Sequence, residues 1–301
     1  MKRYYPDFQC RSGLFRLKMI ENIGLVLEGG GMRGLYTAGV LNYFMEKNLY
    51  FKKGFGVSAG ACHGCSYFCR QPERALRVSV DYLDEKNYCG FGTLIRTGDF
   101  FGVEMVYHTI PEKLYRLDNE AYKASGAEFF AVVTNCETGR AEYRRLEDMY
   151  GDLNYIRASA SLPLLSRMVE IGGNKYLDGG MTDSIPIKFA QESGCKKNIV
   201  ILTQPRSYRK EPGGAYPAMK LKYRKYPNLL KAIKNRHIMY NDTLDYIAEQ
   251  EKLGKILVIA PEAGLGVGRI EKDKGKLNGI YEKGRSDGER SYNAIKEFIN
   301  I

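Results

Sequence analysis

Short apolar runs alternate with amphipathic stretches in the N-terminal part of the chain. Residues 24–28 (GLVLE) have the length of a buried parallel strand and end in a glycine cluster. A helix with one apolar face follows to about Lys47, and residues 51–57 (FKKGFGV) form a second strand-like run. Small residues over 59–69 then suit a tightly packed helix. This alternation predicts a parallel sheet covered by helices on both faces.

The rest of the pattern extends this sheet. Further strands are predicted over residues 129–135, 141–144, 175–177, 198–203 and 255–260. Helices are predicted over residues 74–86, 152–161 and 286–299. The aromatic, glycine-rich segment 90–102 is predicted to be a loop or cap, and the proline- and glycine-rich segment 204–217 is a composition break where we place a boundary.

A glycine-rich turn lies between the first strand and the first helix. It consists of Gly29, Gly30, Gly31, Met32, Arg33 and Gly34. Successive backbone N–H groups can turn toward one point here, and the helix N-terminus adds positive charge, so the turn predicts an anion hole. Its first, third and last glycines also match the G-x-G-x-x-G dinucleotide fingerprint, which leaves a nucleotide- or anion-binding module as an alternative. Against it, the second strand does not end in the acidic residue of that fingerprint.

The second strand ends in a nucleophile-elbow pattern, with Ser58 between Gly56 and Gly60. In this turn the flanking glycines relieve crowding and the serine side chain is thrust outward. A serine hydroxyl needs an adjacent base, and Asp178, followed by Gly179 and Gly180, supplies a carboxylate at a strand end. At the edge of a parallel sheet where Ser58 emerges, that carboxylate could serve as the base directly.

The three histidines offer a different base. His63 is five residues into the elbow helix and is predicted to point away from Ser58, and His108 fits no standard hydrolase order. Only His237 gives the Ser, Asp, His order of an α/β hydrolase. An esterase for soluble esters that uses Ser58, Asp178 and His237 therefore stays open.

Four motifs in this order resemble the patatin-like phospholipase family. They are GGGMRG at 29–34, GVSAG at 56–60, ASASLP at 158–163 and DGG at 178–180, and the resemblance covers about residues 24–203. It implies a Ser58–Asp178 dyad, an oxyanion hole from the backbone of Gly29 to Arg33, hydrolysis of acyl esters in lipids, and neither a metal nor another cofactor. Family members often have Asn-x-Pro after the DGG, whereas Ser184 takes the asparagine position here. One supporting hydrogen bond of the family is therefore not assured in this chain.

The domain organisation follows from these motifs and the composition break. Residues 1–23 are expected to be an N-terminal extension, 24–205 a patatin-like catalytic domain, and 206–301 a basic, helical C-terminal appendage whose late strand could join the same sheet. The expected fold is three-layer α/β/α with a mainly parallel sheet. Met19 offers an alternative start just before the first strand.

Charge and cysteine usage bear on partners and compartment. The net charge of +11, concentrated over residues 206–234, favours an anionic partner or a solvated basic face. With the resemblance, we expect a lipid or ester substrate, peripheral contact with an anionic membrane surface and no nucleic acid. An anionic-surface binding protein with a vestigial site is a third alternative.

Seven cysteines without framework spacing or an export signal suggest free thiols and therefore a cytoplasmic protein. Such a protein could be placed peripherally at the inner membrane surface. Cys62, Cys65 and Cys69 are expected to be small buried residues, with a metal or redox site as the alternative.

Overall fold

The computed structural model describes residues 19–300, in which one eight-stranded sheet carries the fold. The strands are β1 Ile20–Leu27, β2 Phe51–Val57, β3 Glu128–Asn135, β4 Arg140–Leu146, β5 Val169–Ile171, β6 Asn174–Asp178, β7 Lys197–Ile201 and β8 Ile256–Ile259. Their order is β5-β6-β3-β2-β1-β7-β8, and β4 pairs with β3. Residues 1–18, on which the alternative start and most of the expected extension depend, lie outside the described residues.

Helices connect most of these strands. The α-helices of the described residues are α1 Leu35–Glu46, α2 Ala59–Phe68, α3 Arg74–Val80, α4 Phe91–Thr97, α5 Asn119–Ser125, α6 Leu153–Ser159, α7 Ile187–Glu192, α8 Tyr216–Lys222, α9 Pro227–Lys252, α10 Lys274–Arg290 and α11 Tyr292–Ile299. A π-helix spans Met105–Leu114, and 3₁₀ turns span Gly31–Gly34 and Gly179–Met181.

The central strands are parallel and buried on both faces. β1 pairs in parallel with β2 and β7, which pair in parallel with β3 and β8. Along β1, Leu25 and Leu27 enter one hydrophobic core, whereas Val26, on the opposite face, enters a second core. The expected three-layer α/β/α fold with a mainly parallel sheet is therefore confirmed.

Different helices cover the two faces. Apolar residues of α1, α2 and α10 join the core of Leu25, and those of α7 and α9 join the core of Val26. Helices α1 and α10 approach closely at glycines: a Cβ on Gly39 would lie 2.0 Å from the Tyr281 carbonyl oxygen, and one on Gly284 would lie 2.0 Å from that of Tyr36.

The residues after 205 extend the same sheet. β8 pairs with β7, and the 26-residue helix α9 packs Tyr240, Leu244 and Ile247 into the second core. Residues 202–215 contain neither helix nor strand, in agreement with the composition break. Because one sheet runs through both parts, the boundary at residue 205 stays a prediction.

Three predicted elements differ from the structure. Segment 90–102 was predicted to be a loop or cap but contains a helix, α4. The glycines lie at its two ends rather than inside it: Gly90 precedes the helix with a φ of 146° and Gly98 follows it with a φ of 80°. The helix predicted over residues 74–86 ends at Val80, and the one predicted over 286–299 is divided between α10 and α11, which meet at Ser291. The three-residue strand β5 was not predicted.

Candidate active site

Ser58 occupies the sharp turn between β2 and α2. Its φ of 54° and ψ of −121° are rarely adopted by residues other than glycine and cost on the order of 1–3 kcal/mol. A Cβ on Gly60 would lie 2.5 Å from the Leu27 carbonyl oxygen, so the tight turn requires glycine there. The Ser58 N–H donates to Ser159 Oγ at 2.9 Å. This strained turn is the geometry that the elbow pattern predicts.

Asp178 lies at the end of an antiparallel strand, not of a parallel strand as the sequence predicted. β6 is antiparallel to β3, so Asp178 does not stand at the carboxyl edge of a parallel strand. It instead pairs with Val133, one residue beyond Val132, whose partner on β2 is Val57. The last residue of β6 therefore lies level with the end of β2, where Ser58 follows.

The Asp178 carboxylate is buried beside the serine. Its Oδ1 accepts a 2.8 Å hydrogen bond from the Gly180 N–H, and its side chain is almost inaccessible to solvent. Burial raises the pKa of Asp178, against the opposing effects of the Arg236 charge and of the Ser58 hydroxyl. The Ser58 hydroxyl is close enough to lower this pKa, yet the buried Oδ2 makes no hydrogen bond of ordinary length and angle within residues 19–300. Catalytic hydrogen bonds are often long before substrate binds.

The ASASLP segment joins the two loops that carry Ser58 and Asp178. Ser159 accepts the hydrogen bond from the Ser58 N–H, and the Ser161 carbonyl accepts one from the Asp178 N–H at 2.9 Å. Ser184, the departure from Asn-x-Pro, donates its hydroxyl to the Gly180 carbonyl at 2.8 Å. A supporting hydrogen bond is thus present with serine at this position.

The glycine turn lies directly against the elbow. A Cβ on Gly29 would lie 3.0 Å from Ser58 Cβ, and Gly31 has a φ of 57° with the Arg269 carbonyl 2.5 Å from where its Cβ would be. The Met32 N–H donates to that carbonyl at 3.1 Å, so including Met32 among the oxyanion donors was wrong for this structure. The Gly30 and Gly31 N–H groups begin the 3₁₀ turn and have no acceptor in the described part of the chain.

A known family model covers the part of the chain that contains Ser58 and Asp178. The model described as patatin-like phospholipase matches residues 25–190, which is more than half of the chain. The chain belongs to the patatin-like phospholipase family. A second model, a domain of unknown function (DUF6363), matches residues 226–300.

Relatives of this patatin-like chain include bacterial and fungal proteins. The Escherichia coli uncharacterized protein YjjU is 33% identical over 61% of this chain and 52% of its own length. Lysophospholipase NTE1 of Cryptococcus neoformans is 30% identical over 62% of this chain and 12% of its own length. The chain thus spans about half of the first relative and a small part of the second. Among solved structures, VipD from Legionella pneumophila aligns at a TM-score of 0.44 and 12% identity, over 90% of this chain and 67% of its own.

The histidines form no part of a triad in this structure. Within residues 19–300, neither His63 nor His237 makes a hydrogen bond with Ser58 or Asp178. His63 lies in the wall of the same cavity as Ser58, and burial lowers the pKa of His63 to about 4. His108 instead contacts Glu112 on the π-helix at 3.0 Å.

An apolar cavity of about 150 Å³ has Ser58 in its wall. The remainder of its wall is mainly apolar and includes Met32, Val106, Ile110, Leu153 and Ile156. Cys62 also lines it, half-buried, while Cys65 and Cys69 are fully buried as expected. Burial raises the pKa of Cys62 to about 12, which keeps its thiol protonated at neutral pH.

Two further features are absent from the described residues. No cluster of three metal-ligating side chains exists there. No helix there is long and apolar enough to span a membrane.

Sequence reasoning missed a buried acid beneath the glycine turn. Glu28 accepts hydrogen bonds from the Tyr240 hydroxyl at 2.6 Å and from the Thr203 N–H at 2.5 Å. Burial raises the pKa of Glu28 despite these bonds. Arg236, also on α9, donates to the Gly180 carbonyl beside Asp178. The one signal in the sequence was an acid at the end of an otherwise apolar strand; its partners follow more than 170 residues later.

Proposed function

We propose that the protein is a serine acyl-ester hydrolase in which Ser58 is the nucleophile and Asp178 the base. The observation that carries this proposal is the buried Asp178 Oδ2, which has no hydrogen-bond partner in residues 19–300 and lies beside the strained elbow serine. A buried carboxylate with a raised pKa is a better proton acceptor than an exposed one. The backbone N–H groups of Gly30 and Gly31 would bind the oxyanion, with the Arg33 backbone completing the hole.

The reaction proceeds in two steps. Asp178 accepts the Ser58 proton as the hydroxyl attacks the acyl carbonyl, and the alcohol part of the ester leaves with that proton. Water then attacks the acyl-serine and gives a proton to Asp178, the bond between the acyl carbon and Ser58 Oγ breaks, and Asp178 returns that proton to Ser58 Oγ, which releases the carboxylic acid and restores the enzyme. No cofactor takes part in this scheme.

The substrate is proposed to be a phospholipid or related lipid. Membership of the patatin-like phospholipase family and similarity to proteins named lysophospholipase support this class. The apolar wall of the cavity at Ser58 suits an acyl chain. Phe91 and Ile95 on α4, which are 61% and 85% exposed, would support peripheral contact with a membrane, and the net charge of +11 favours an anionic surface.

The proposal is tested by labelling with an active-site fluorophosphonate and mapping the adduct by peptide mass. We expect an adduct on Ser58 in the wild type, none in Ser58→Ala, and a strong decrease in Asp178→Asn. Hydrolysis of a lysophospholipid, measured on the same samples, should fall in parallel by on the order of a thousandfold or more.

The His237→Ala variant separates the dyad from the alternatives. It should keep both labelling and hydrolysis, and their loss would instead support the Ser-Asp-His esterase. A folded wild type that is not labelled but retains nucleotide would favour the glycine turn as a binding module. Lipid binding that is unchanged in Ser58→Ala, without hydrolysis in the wild type, would favour a surface-binding protein with a vestigial site.

A further inference from the structure

A second pocket at Ser58 is lined by cationic side chains. Arg33 comes from the glycine turn, and Lys210, Arg236 and Arg269 come from the residues after β7. This cationic pocket shares Gly31, Ser58 and Leu162 with the apolar cavity. A group bound at the serine would therefore have an apolar region and a positively charged region next to it.

These four cations have no carboxylate partners. In residues 19–300 none of them forms an ion pair, whereas Arg206 and Arg209, close to Lys210 in sequence, pair with Glu251 and Asp245. The acids lining the pocket are Glu28 and Asp178. Glu28 is already engaged by Tyr240 and Thr203, and the pKa values of both acids are raised by burial. Even with both acids ionised, two carboxylates face four cations, so the pocket keeps a net positive charge.

The fold holds these like charges together against their repulsion. Burial, Arg236 and Arg269 lower the pKa of Lys210 to about 7, and burial and Arg269 lower the pKa of Arg236 to about 10. A bound anion would relieve both effects, because it favours the charged form of each cation. Charged groups with strongly shifted pKa values in a cleft mark a candidate functional site.

We propose that the cationic pocket binds the phosphate group of the substrate, so that the C-terminal region selects esters whose alcohol part carries a phosphate. This inference rests on the proposed function. With the acyl chain in the apolar cavity and the carbonyl at Ser58, the alcohol part extends toward the remaining pocket. Guanidinium groups form bidentate hydrogen bonds with phosphate, and Lys210 adds a point charge.

Not every cation of the pocket is suited to a test. Arg236 donates to the Gly180 carbonyl, so its replacement would also disturb the loop of Asp178. The Arg33 backbone belongs to the proposed oxyanion hole. No hydrogen bond or ion pair of the Lys210 or Arg269 side chains is found in the described residues, although Lys210 Nζ lies 4.4 Å and 5.4 Å from the centres of the Tyr240 and Tyr208 rings. Lys210→Met and Arg269→Met therefore remove charge without breaking a hydrogen bond or ion pair, and methionine keeps an apolar stem against the tyrosine rings.

The decisive measurement is a ratio of two rates. A 1-acylglycerol 3-phosphate and a 1-acylglycerol with the same acyl chain are presented in the same uncharged detergent micelles, and kcat/KM is measured for each. We expect the wild type to prefer the phosphate ester, and the preference to fall by about tenfold or more in Lys210→Met and in Arg269→Met, since charged hydrogen bonds are lost. The matched control is Lys234→Met on the exposed face of α9, which should leave the ratio unchanged.

A ratio that is unchanged in both variants, or a wild type without preference, would overturn the proposal. Binding of inorganic phosphate to Ser58→Ala by titration calorimetry gives a readout that does not need hydrolysis. If the wild type hydrolyses neither ester, the proposed function fails; phosphate binding that weakens in Arg269→Met would then still support a phosphate site, and no binding would refute it. Tight binding of free phosphate together with unchanged ester selectivity would assign the pocket to free phosphate and refute the headgroup role.

Discussion

A single buried hydroxyl keeps the elbow serine in place. Ser159 Oγ is the acceptor for the Ser58 N–H, and replacing Ser159 by alanine would leave that buried N–H without a partner. We expect Ser159→Ala to lower the free energy of unfolding by about 1–3 kcal/mol. It should also lower kcat/KM, because the strained turn loses its support. Urea unfolding and ester hydrolysis measure the two effects.

Ser161→Ala is the matched control, because Ser161 contacts Asp178 through its backbone carbonyl, which the substitution keeps. Its own hydroxyl donates to the Arg157 carbonyl, so a small loss of stability is expected. Equal losses of activity in both variants would contradict a specific role for Ser159.

The protonation of Asp178 should set the acid limit of activity. The carboxylate must be ionised to accept the Ser58 proton, and its raised pKa means that it becomes protonated at a higher pH than an exposed aspartate. As the pH falls, we therefore expect kcat/KM to decline with a midpoint above about 3.9, the ordinary value. A profile for a neutral ester that stays flat down to pH 4 would speak against Asp178 as the base.

For esters that carry a phosphate, we expect the charge on Lys210 to add a second, alkaline decline to the pH profile of kcat/KM. Its pKa of about 7 means that it loses its charge as the pH rises through neutrality. The groups around it are Arg33, Arg236, Arg269 and Glu28. We expect kcat/KM for the phosphate ester to decline above about pH 7, and this decline to be absent in Lys210→Met. The same decline with the uncharged ester would show that another group is responsible.

At the scale of elements, the contact between α1 and α10 depends on glycine. A Cβ on Gly284 would lie 2.0 Å from the Tyr36 carbonyl oxygen, so Gly284→Ala must push the helices apart. We expect a loss of about 1–3 kcal/mol in stability. Gly279→Ala on the same helix meets nothing within 4 Å and should instead stabilise by about 0.5–1 kcal/mol. Thermal unfolding of the two variants should show shifts of Tm with opposite signs, and shifts of one sign would contradict the role assigned to the contact.

Strands buried on both faces could be predicted well from the sequence. The apolar runs at β1, β2, β3 and β7 lie within a few residues of their predicted places, since each faces apolar layers on either side. Helix α4 was missed because its flanking glycines resemble those of a loop. The antiparallel direction of β6 was missed because strand direction depends on tertiary pairing, which periodicity does not report.

At the scale of the whole molecule, the C-terminal region is part of the same sheet and core and is not a separate appendage. Without residues 206–301, β7 would lose its neighbour β8. The carboxylate of Glu28 would also lose the hydrogen bond that the Tyr240 hydroxyl donates. We expect a chain of residues 1–205 to be insoluble or unfolded by circular dichroism and not to react with fluorophosphonate. A soluble, labelled fragment would show that residues 24–205 are an independent catalytic domain.

The sequence predicted the two residues of the proposed dyad but not the cationic pocket, because that pocket depends on tertiary packing. Ser58 and Asp178 belong to local motifs with their own glycines, whereas Lys210 and Arg269 stand among many basic residues with no motif of their own. Net charge identifies an excess of cations without indicating which of them face a common cavity. That distinction required the packing of α9 and of the residues around Arg269 against the glycine turn.

The pairing of β1 with β7 affects how the protein is made. Leu27 pairs with Ile201, so 174 positions separate the two partners. At about 5–20 residues per second, roughly 10–35 s of synthesis pass before the second edge of β1 can be covered. An unpaired apolar strand edge is a template for association with other chains. Ribosome-bound chains of this protein should therefore depend on chaperones until β7 has emerged.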